Sequence, residues 1–141
     1  PYPAEKGKSS LEIIRARGKI IPVADQSGVR VQVAIKVESH IGDINEPTES
    51  TMDVIKDLEQ KEAVVIKDEI SAALAKAREL NADIFGFGEA IYRKYPKQWR
   101  ELKKRWDEIF PELEVEVIVD AQVRRTGTTH KAINAEDNGN G

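Results

Sequence analysis

The chain has 141 residues, with 22 Lys and Arg against 25 Asp and Glu, two His, no Cys and a formal net charge of −3 at pH 7. That length suits one domain with a core of its own, and a composition of 40% hydrophobic and 33% charged residues is that of a folded chain in water rather than a disordered or membrane-embedded one. Without Cys, disulfides, thiolate catalysis, zinc ribbons and iron–sulfur clusters are excluded, and His40 and His130, far apart in the chain, leave little for a His-based metal centre.

The chain opens on Pro1-Tyr2-Pro3 with no initiator Met, as expected of a processed or excised chain, and residues 1–9 read as a flexible lead-in. Leu11–Val23 is β-rich, but its apolar phase changes around Arg15–Lys19, and Gly18 and Pro22 predict a bulge or an edge position. Asp25-Gln26-Ser27-Gly28 is turn chemistry, with Gly28 able to take a positive φ. Val29, Val31, Val33, Ile35 and Val37 then alternate with mostly polar neighbours over residues 29–37, so an antiparallel hairpin is expected, with His40 in the loop beyond it.

Ser50, with Asp53 three positions on, forms a plausible cap pair just after Pro47 and starts a helix running to about Leu80. Ile66, Ile70, Ala73, Ala77 and Leu80 form its core-facing stripe. Asn81 can stop it, and Asp83 can cap a second helix carrying Ile84, Phe85, Phe87 and Ile91 up to Tyr95. Pro96 opens a third, with Trp99, Leu102, Trp106 and Ile109 on one stripe, ended by Phe110-Pro111. A last strand follows, in which Leu113, Val115, Val117, Val119, Ala121 and Val123 alternate against polar residues. Residues 128–141 hold three Asn, two Gly and one Ile and read as a flexible tail, because so few apolar groups cannot offset the entropy of ordering. The order β-β-α-α-α-β predicts an α+β two-layer domain over residues 10–127: an antiparallel sheet of at least three strands with helices on one face.

Charge is unevenly placed. Residues 37–69 carry ten acids and three bases, a net of −7, whereas residues 93–105 carry seven bases and one acid, a net of +6. The basic stretch, with Arg93, Lys97, Arg100 and Lys104 as its candidate contacts, is an interaction surface for anionic lipid or acidic protein if it is more than a solvated face. Its two Trp share the core stripe, which argues against base stacking on nucleic acid. Gly86-Phe87-Gly88-Glu89 is a weak candidate anion cradle at a helix start, with Gly86, Gly88 and Glu89 as its residues. No Lys-Ser/Thr or third Gly follows at a nucleotide-binding spacing, so close helix packing is the stronger reading of the two glycines. Glu89, Asp107, Glu108 and Glu112 show no spacing that singles out a catalytic carboxylate pair, and Arg124 is expected to pair with an acidic neighbour or face a partner. No cofactor, metal site or catalytic residue is expected.

Four stretches carry a family resemblance when taken in order: Asn81-Ala82-Asp83-Ile84-Phe85-Gly86-Phe87-Gly88-Glu89, Arg93-Lys94-Tyr95-Pro96-Lys97-Gln98-Trp99, Trp106-Asp107-Glu108-Ile109-Phe110-Pro111 and Val123-Arg124-Arg125-Thr126-Gly127. Together they resemble the C-terminal domain of the Ger(x)C spore germination proteins, the lipoprotein C subunits of germinant receptors. The resemblance covers about residues 10–127. It implies a longer parent, anchored by lipid to the outer face of the inner spore membrane and acting with two integral-membrane subunits in nutrient-triggered germination. It implies no catalytic residues. The lipid-bearing Cys and the earlier domains of the family are missing from the pattern here, so anchoring is expected of the parent and not of these residues. The expectation is a non-enzymatic domain that binds receptor subunits. A module binding a small germinant near Gly86–Glu89 is the alternative, and an enzyme acting on the spore envelope, which would need a paired-carboxylate cleft, is a third.

Overall fold

A computed structural model of the chain describes residues 10–42 and 50–125. Strands β1 (Ser10–Asp25) and β2 (Gly28–Gly42) meet in a tight turn at Gln26-Ser27. The turn is held by Asp25: its Oδ1 accepts from the Ser27 backbone N–H at 2.9 Å and the Ser27 hydroxyl at 2.6 Å, while Arg30 donates to Oδ2 at 2.9 Å. These donors, the Ser27 hydroxyl first and the Arg30 guanidinium next, stabilise the charged carboxylate and hold the Asp25 pKa down at about 2. Gly28 closes the turn with φ +126°, a backbone region that side chains with a Cβ rarely adopt. Helix α1 (Ser50–Leu80) follows, then α2 (Phe87–Lys94), α3 (Pro96–Leu102), a 3-10 turn (Lys103–Arg105), α4 (Trp106–Ile109), a second 3-10 turn (Phe110–Glu112) and strand β3 (Glu114–Arg125).

The α+β class holds, but the sheet is mixed where the pattern predicts it antiparallel throughout. Its order is β1-β2-β3. β1 and β2 form the antiparallel hairpin, whereas β2 and β3 advance together: Gln32 donates to Glu116 at 3.2 Å and, six residues on, Glu38 meets Arg124 at 2.9 Å. The physical reason is the connection. Parallel neighbours need a long crossover, and the helical segment between these strands supplies one. β1 lies at an edge, as its mixed apolar phase predicts.

Two compact units divide these elements. The larger comprises residues 18–35 and 64–119. Its core holds Val31 and Val33 of β2, Leu74 and Ala77 of α1, Phe87 and Ile91 of α2, and Phe110, Leu113 and Val117. Phe87 and Phe110 are fully buried, and burial of a side chain of this kind contributes about 1.5–3 kcal/mol. Ala77 is buried and Ile70 packs against the core as the α1 stripe predicts, and Leu74, outside the predicted stripe, is buried beside them, but Leu80 is 63% exposed because the helix stops there. The stop is a Schellman motif: Asn81 takes φ +53°, Ala82 N–H donates to Ala77 O at 2.9 Å and Asn81 N–H to Arg78 O at 3.1 Å.

The second helix begins at Phe87 rather than near Asp83, and Ile84 is 69% exposed instead of lying on its stripe. Gly86, at φ +78°, cannot continue a right-handed helix, so residues before it form a turn. The third helix is likewise interrupted. Arg105, at φ −127° and ψ 25°, leaves helical geometry, and the segment continues as short α and 3-10 pieces.

Described residues of the smaller unit are 10–17, 36–42, 50–63 and 120–125. Here β2 runs on past Val37 to Gly42, so His40 is a strand residue and not a loop ring. Val37, Ser39 and Ile41 keep the inward alternation, with Ala121 and Val123 buried on β3. Ser39, 0% exposed, donates its hydroxyl to Glu62 Oε2 at 2.7 Å, and the Val123 N–H donates to Glu59 Oε2 at 2.9 Å. Acidic side chains of α1 thus take the place of apolar ones in its first half. The expected lead-in at 1–9, the tail at 128–141, the Ser50 side-chain cap and His130 lie outside the described residues.

Candidate functional site

The basic stretch from Arg93 to Arg105 is built on an aromatic layer. Tyr95, Trp99, Leu102, Trp106 and Ile109 pack against the core of the larger unit. Trp99 and Trp106 meet edge to face with centroids 5.0 Å apart, and Trp106 continues to Phe110 at 5.9 Å. These rings are occupied inward, so the outward chemistry of the segment is cationic.

The structure leaves Arg93, Lys97, Arg100 and Lys104 exposed. Arg93 pairs with Glu89 at 3.0 Å and Lys104 with Glu101 at 3.6 Å, and both are surface pairs of the kind that contribute about 0–1 kcal/mol. Among the described residues Lys97 and Arg100 make no ion pair. Lys97, Arg100 and Lys104 recur at three and four along the chain, which places them on one side of a helical segment. Lys94 turns elsewhere, donating to the Pro22 carbonyl at 3.4 Å and lying 5.5 Å from the Tyr95 ring centroid.

Gly86, Gly88 and Glu89 sit at the start of α2, but the helix N-terminus is already filled. The Asp83 carboxylate accepts from the Phe87 N–H and the Gly88 N–H, each at 2.8 Å, using the donors a bound anion would need. Gly88 is buried, and a Cβ placed on it would stand 2.8 Å from Trp99 Cη2. Glu89, on the outside, is engaged by Arg93. Close packing of α2 on Trp99 is therefore what the second glycine serves.

Asp83, expected as the cap of the second helix, does cap α2, but from four residues upstream, across a turn whose φ signature only the structure reveals. One feature was not singled out by the sequence pattern. On the outward face of the smaller unit, Arg15, Arg17, Lys36 and Arg124 gather around one depression. Their alternation on separate strands was visible, but their convergence depends on strand order and register. Arg124 pairs with Glu38 at 2.9 Å, the acidic partner expected for it.

A half-buried aromatic layer thus carries an outward row of cations on the larger unit. The profile of the family described as "Spore germination B3/ GerAC like, C-terminal" matches residues 1–127. The chain belongs to this family, as the C-terminal domain of the Ger(x)C germinant-receptor proteins, which ties it to spore germination. Spore germination protein KC of Bacillus subtilis (strain 168) is 32% identical over 130 residues, which cover 91% of this chain and 32% of that protein. Spore germination protein YndF of the same organism is 25% identical over 122 residues, covering 84% of this chain and 30% of that one. The chain thus spans about a third of the length of these curated relatives. The crystal structure of the GerBC protein shares the fold, with a TM-score of 0.69 at 20% identity over 82% of this chain and 36% of that chain. Among the described residues no helix is long and apolar enough to cross a membrane.

Proposed function

We propose that the chain is a non-enzymatic interaction domain of a spore germinant receptor C subunit, and that it docks on the receptor's membrane subunits through Arg93, Lys97, Arg100 and Lys104. The observation that carries this is the exposed pair Lys97 and Arg100, without an ion pair among the described residues, beside Trp rings that pack against the core and against each other. That combination favours an acidic protein or membrane-proximal surface over stacked nucleic-acid bases. In the longer parent the domain would be held by a lipid anchor at the outer face of the inner spore membrane. There a Debye length of about 8 Å keeps the charges of this face effective only in near contact. No observation favours a germinant pocket at Gly86–Glu89, where Asp83 and Arg93 already hold the groups concerned.

The test is charge reversal. Spores whose protein carries Lys97→Glu, Arg100→Glu and Lys104→Glu should germinate markedly more slowly on nutrient addition, while the purified variant keeps its circular dichroism and melting temperature. A wild-type germination rate with a folded variant would remove this face from the mechanism.

A further inference from the structure

We propose that the outward face of the sheet in the smaller unit is a binding site for a phosphate group, held by Arg15, Arg17, Lys36 and Arg124. Burial of Val37, Ser39 and Ile41 on β2 and of Ala121 and Val123 on β3 fixes which way each strand faces. The intervening residues Lys36, Glu38, Gln122 and Arg124 therefore point to the opposite side. Arg15 and Arg17, two apart on β1, join them, and these six side chains line a depression of about 190 Å³.

Four cations surround this space with one carboxylate, a net of +3. Glu38 is committed to Arg124, and among the described residues Arg15, Arg17 and Lys36 make no ion pair. Cations on an edge strand can serve simply to block edge-to-edge pairing, and Arg15 and Arg17 suit that role. Lys36 does not: it lies on the central strand, where there is no edge to protect, yet it turns to the same spot.

The ligand chemistry follows from charge and size. Three unpaired cations match a group of charge near −2 better than a single carboxylate, and a phosphate monoester carries about −1.5 to −2 at pH 7. Three of the four cations are Arg, whose planar fork binds phosphate oxygens in pairs. The depression of about 190 Å³ is roomy enough for one hydrated phosphate. Gln122 adds an amide that can donate to a phosphate oxygen.

Titration calorimetry of the whole 141-residue chain with inorganic phosphate, at fixed ionic strength set by chloride, tests this. Saturable binding is expected, weakened at least tenfold in Arg15→Gln/Arg17→Gln and several-fold in Lys36→Gln. It should be unchanged in Lys97→Glu/Arg100→Glu/Lys104→Glu, which separates it from the docking face. Flotation with phosphatidylcholine vesicles, with and without phosphatidic acid, distinguishes the sources. Binding to free phosphate supports a soluble phosphorylated ligand, and binding only to phosphatidic acid vesicles supports a lipid headgroup; either upholds the phosphate site if Arg15→Gln/Arg17→Gln weakens it at least tenfold. No binding in either assay, binding to polyglutamate as tight as to phosphate, or binding indifferent to Arg15→Gln/Arg17→Gln would overturn it.

Discussion

Substituting Gly88 by Ala tests how the start of α2 is built. The new Cβ would lie 2.8 Å from Trp99 Cη2 and 3.4 Å from Cζ2, against an ordinary carbon–carbon contact of about 3.5–4.0 Å. Relief requires roughly 0.7 Å of movement, by the ring or by α2. The ring is held edge-on by Trp106, and α2 is pinned by the two N–H donations to Asp83. Overpacking of this kind costs about 1–3 kcal/mol. Ala is a better helix former than Gly by up to about 1 kcal/mol, which offsets part of that cost. A net loss of about 0.5–2 kcal/mol should remain, and at about 3–4 °C per kcal/mol for a domain of this size the melting temperature should fall by about 2–8 °C. Thermal unfolding followed by Trp fluorescence reads both the midpoint and the environment of the displaced ring. An unchanged or higher midpoint with unaltered fluorescence would refute the close-packing account of Gly88 and reopen this turn as a ligand site.

Two further outcomes concern the turn and the smaller unit. Asp25 should titrate at about 2 in the folded chain against an ordinary 3.8, so its contribution to stability is present above the ordinary value and is lost as pH falls through about 2. Carboxyl-carbon NMR should show that midpoint and a rise toward 3.8 in Ser27→Ala, whereas a wild-type midpoint near 3.8 would dismiss the turn network. Ser39→Ala removes the donor to Glu62, whose other oxygen Oε1 is buried and has no hydrogen-bond partner among the described residues. Leaving that carboxylate unsatisfied should cost about 1–3 kcal/mol in urea unfolding, and a loss below about 0.5 kcal/mol would show that water replaces the hydroxyl.

The elements were legible in the sequence wherever burial is apolar. Val31 and Val33 on β2, Ala77 on α1 and Trp99 with Trp106 all announce their faces by spacing, and each packs as that spacing predicts. The pattern fails where polar groups do the inward packing. Ser39 interrupts the apolar alternation of β2, so the strand reads as ending near Val37, yet its hydroxyl is buried against Glu62. The same pairing hides the inward face of the first half of α1, where Glu59 and Glu62 point at the sheet and look, in sequence, like a solvated acidic run. Strand direction was hidden for a different reason: side-chain alternation is the same in parallel and antiparallel strands, so only the length of the connection before β3 bears on it. For the same reason the basic row at Lys97, Arg100 and Lys104 could be read from one segment, whereas the cluster of Arg15, Lys36 and Arg124 needs three strands placed side by side.

The central claim is that this C-terminal domain binds receptor subunits through its basic helical face, and co-purification tests it most directly. Membrane subunits of the receptor, solubilised and tagged, should retain the wild-type protein at low salt, release it progressively as salt rises, and fail to retain the Lys97→Glu/Arg100→Glu/Lys104→Glu variant. Equal, salt-insensitive retention of wild type and the folded variant would contradict it.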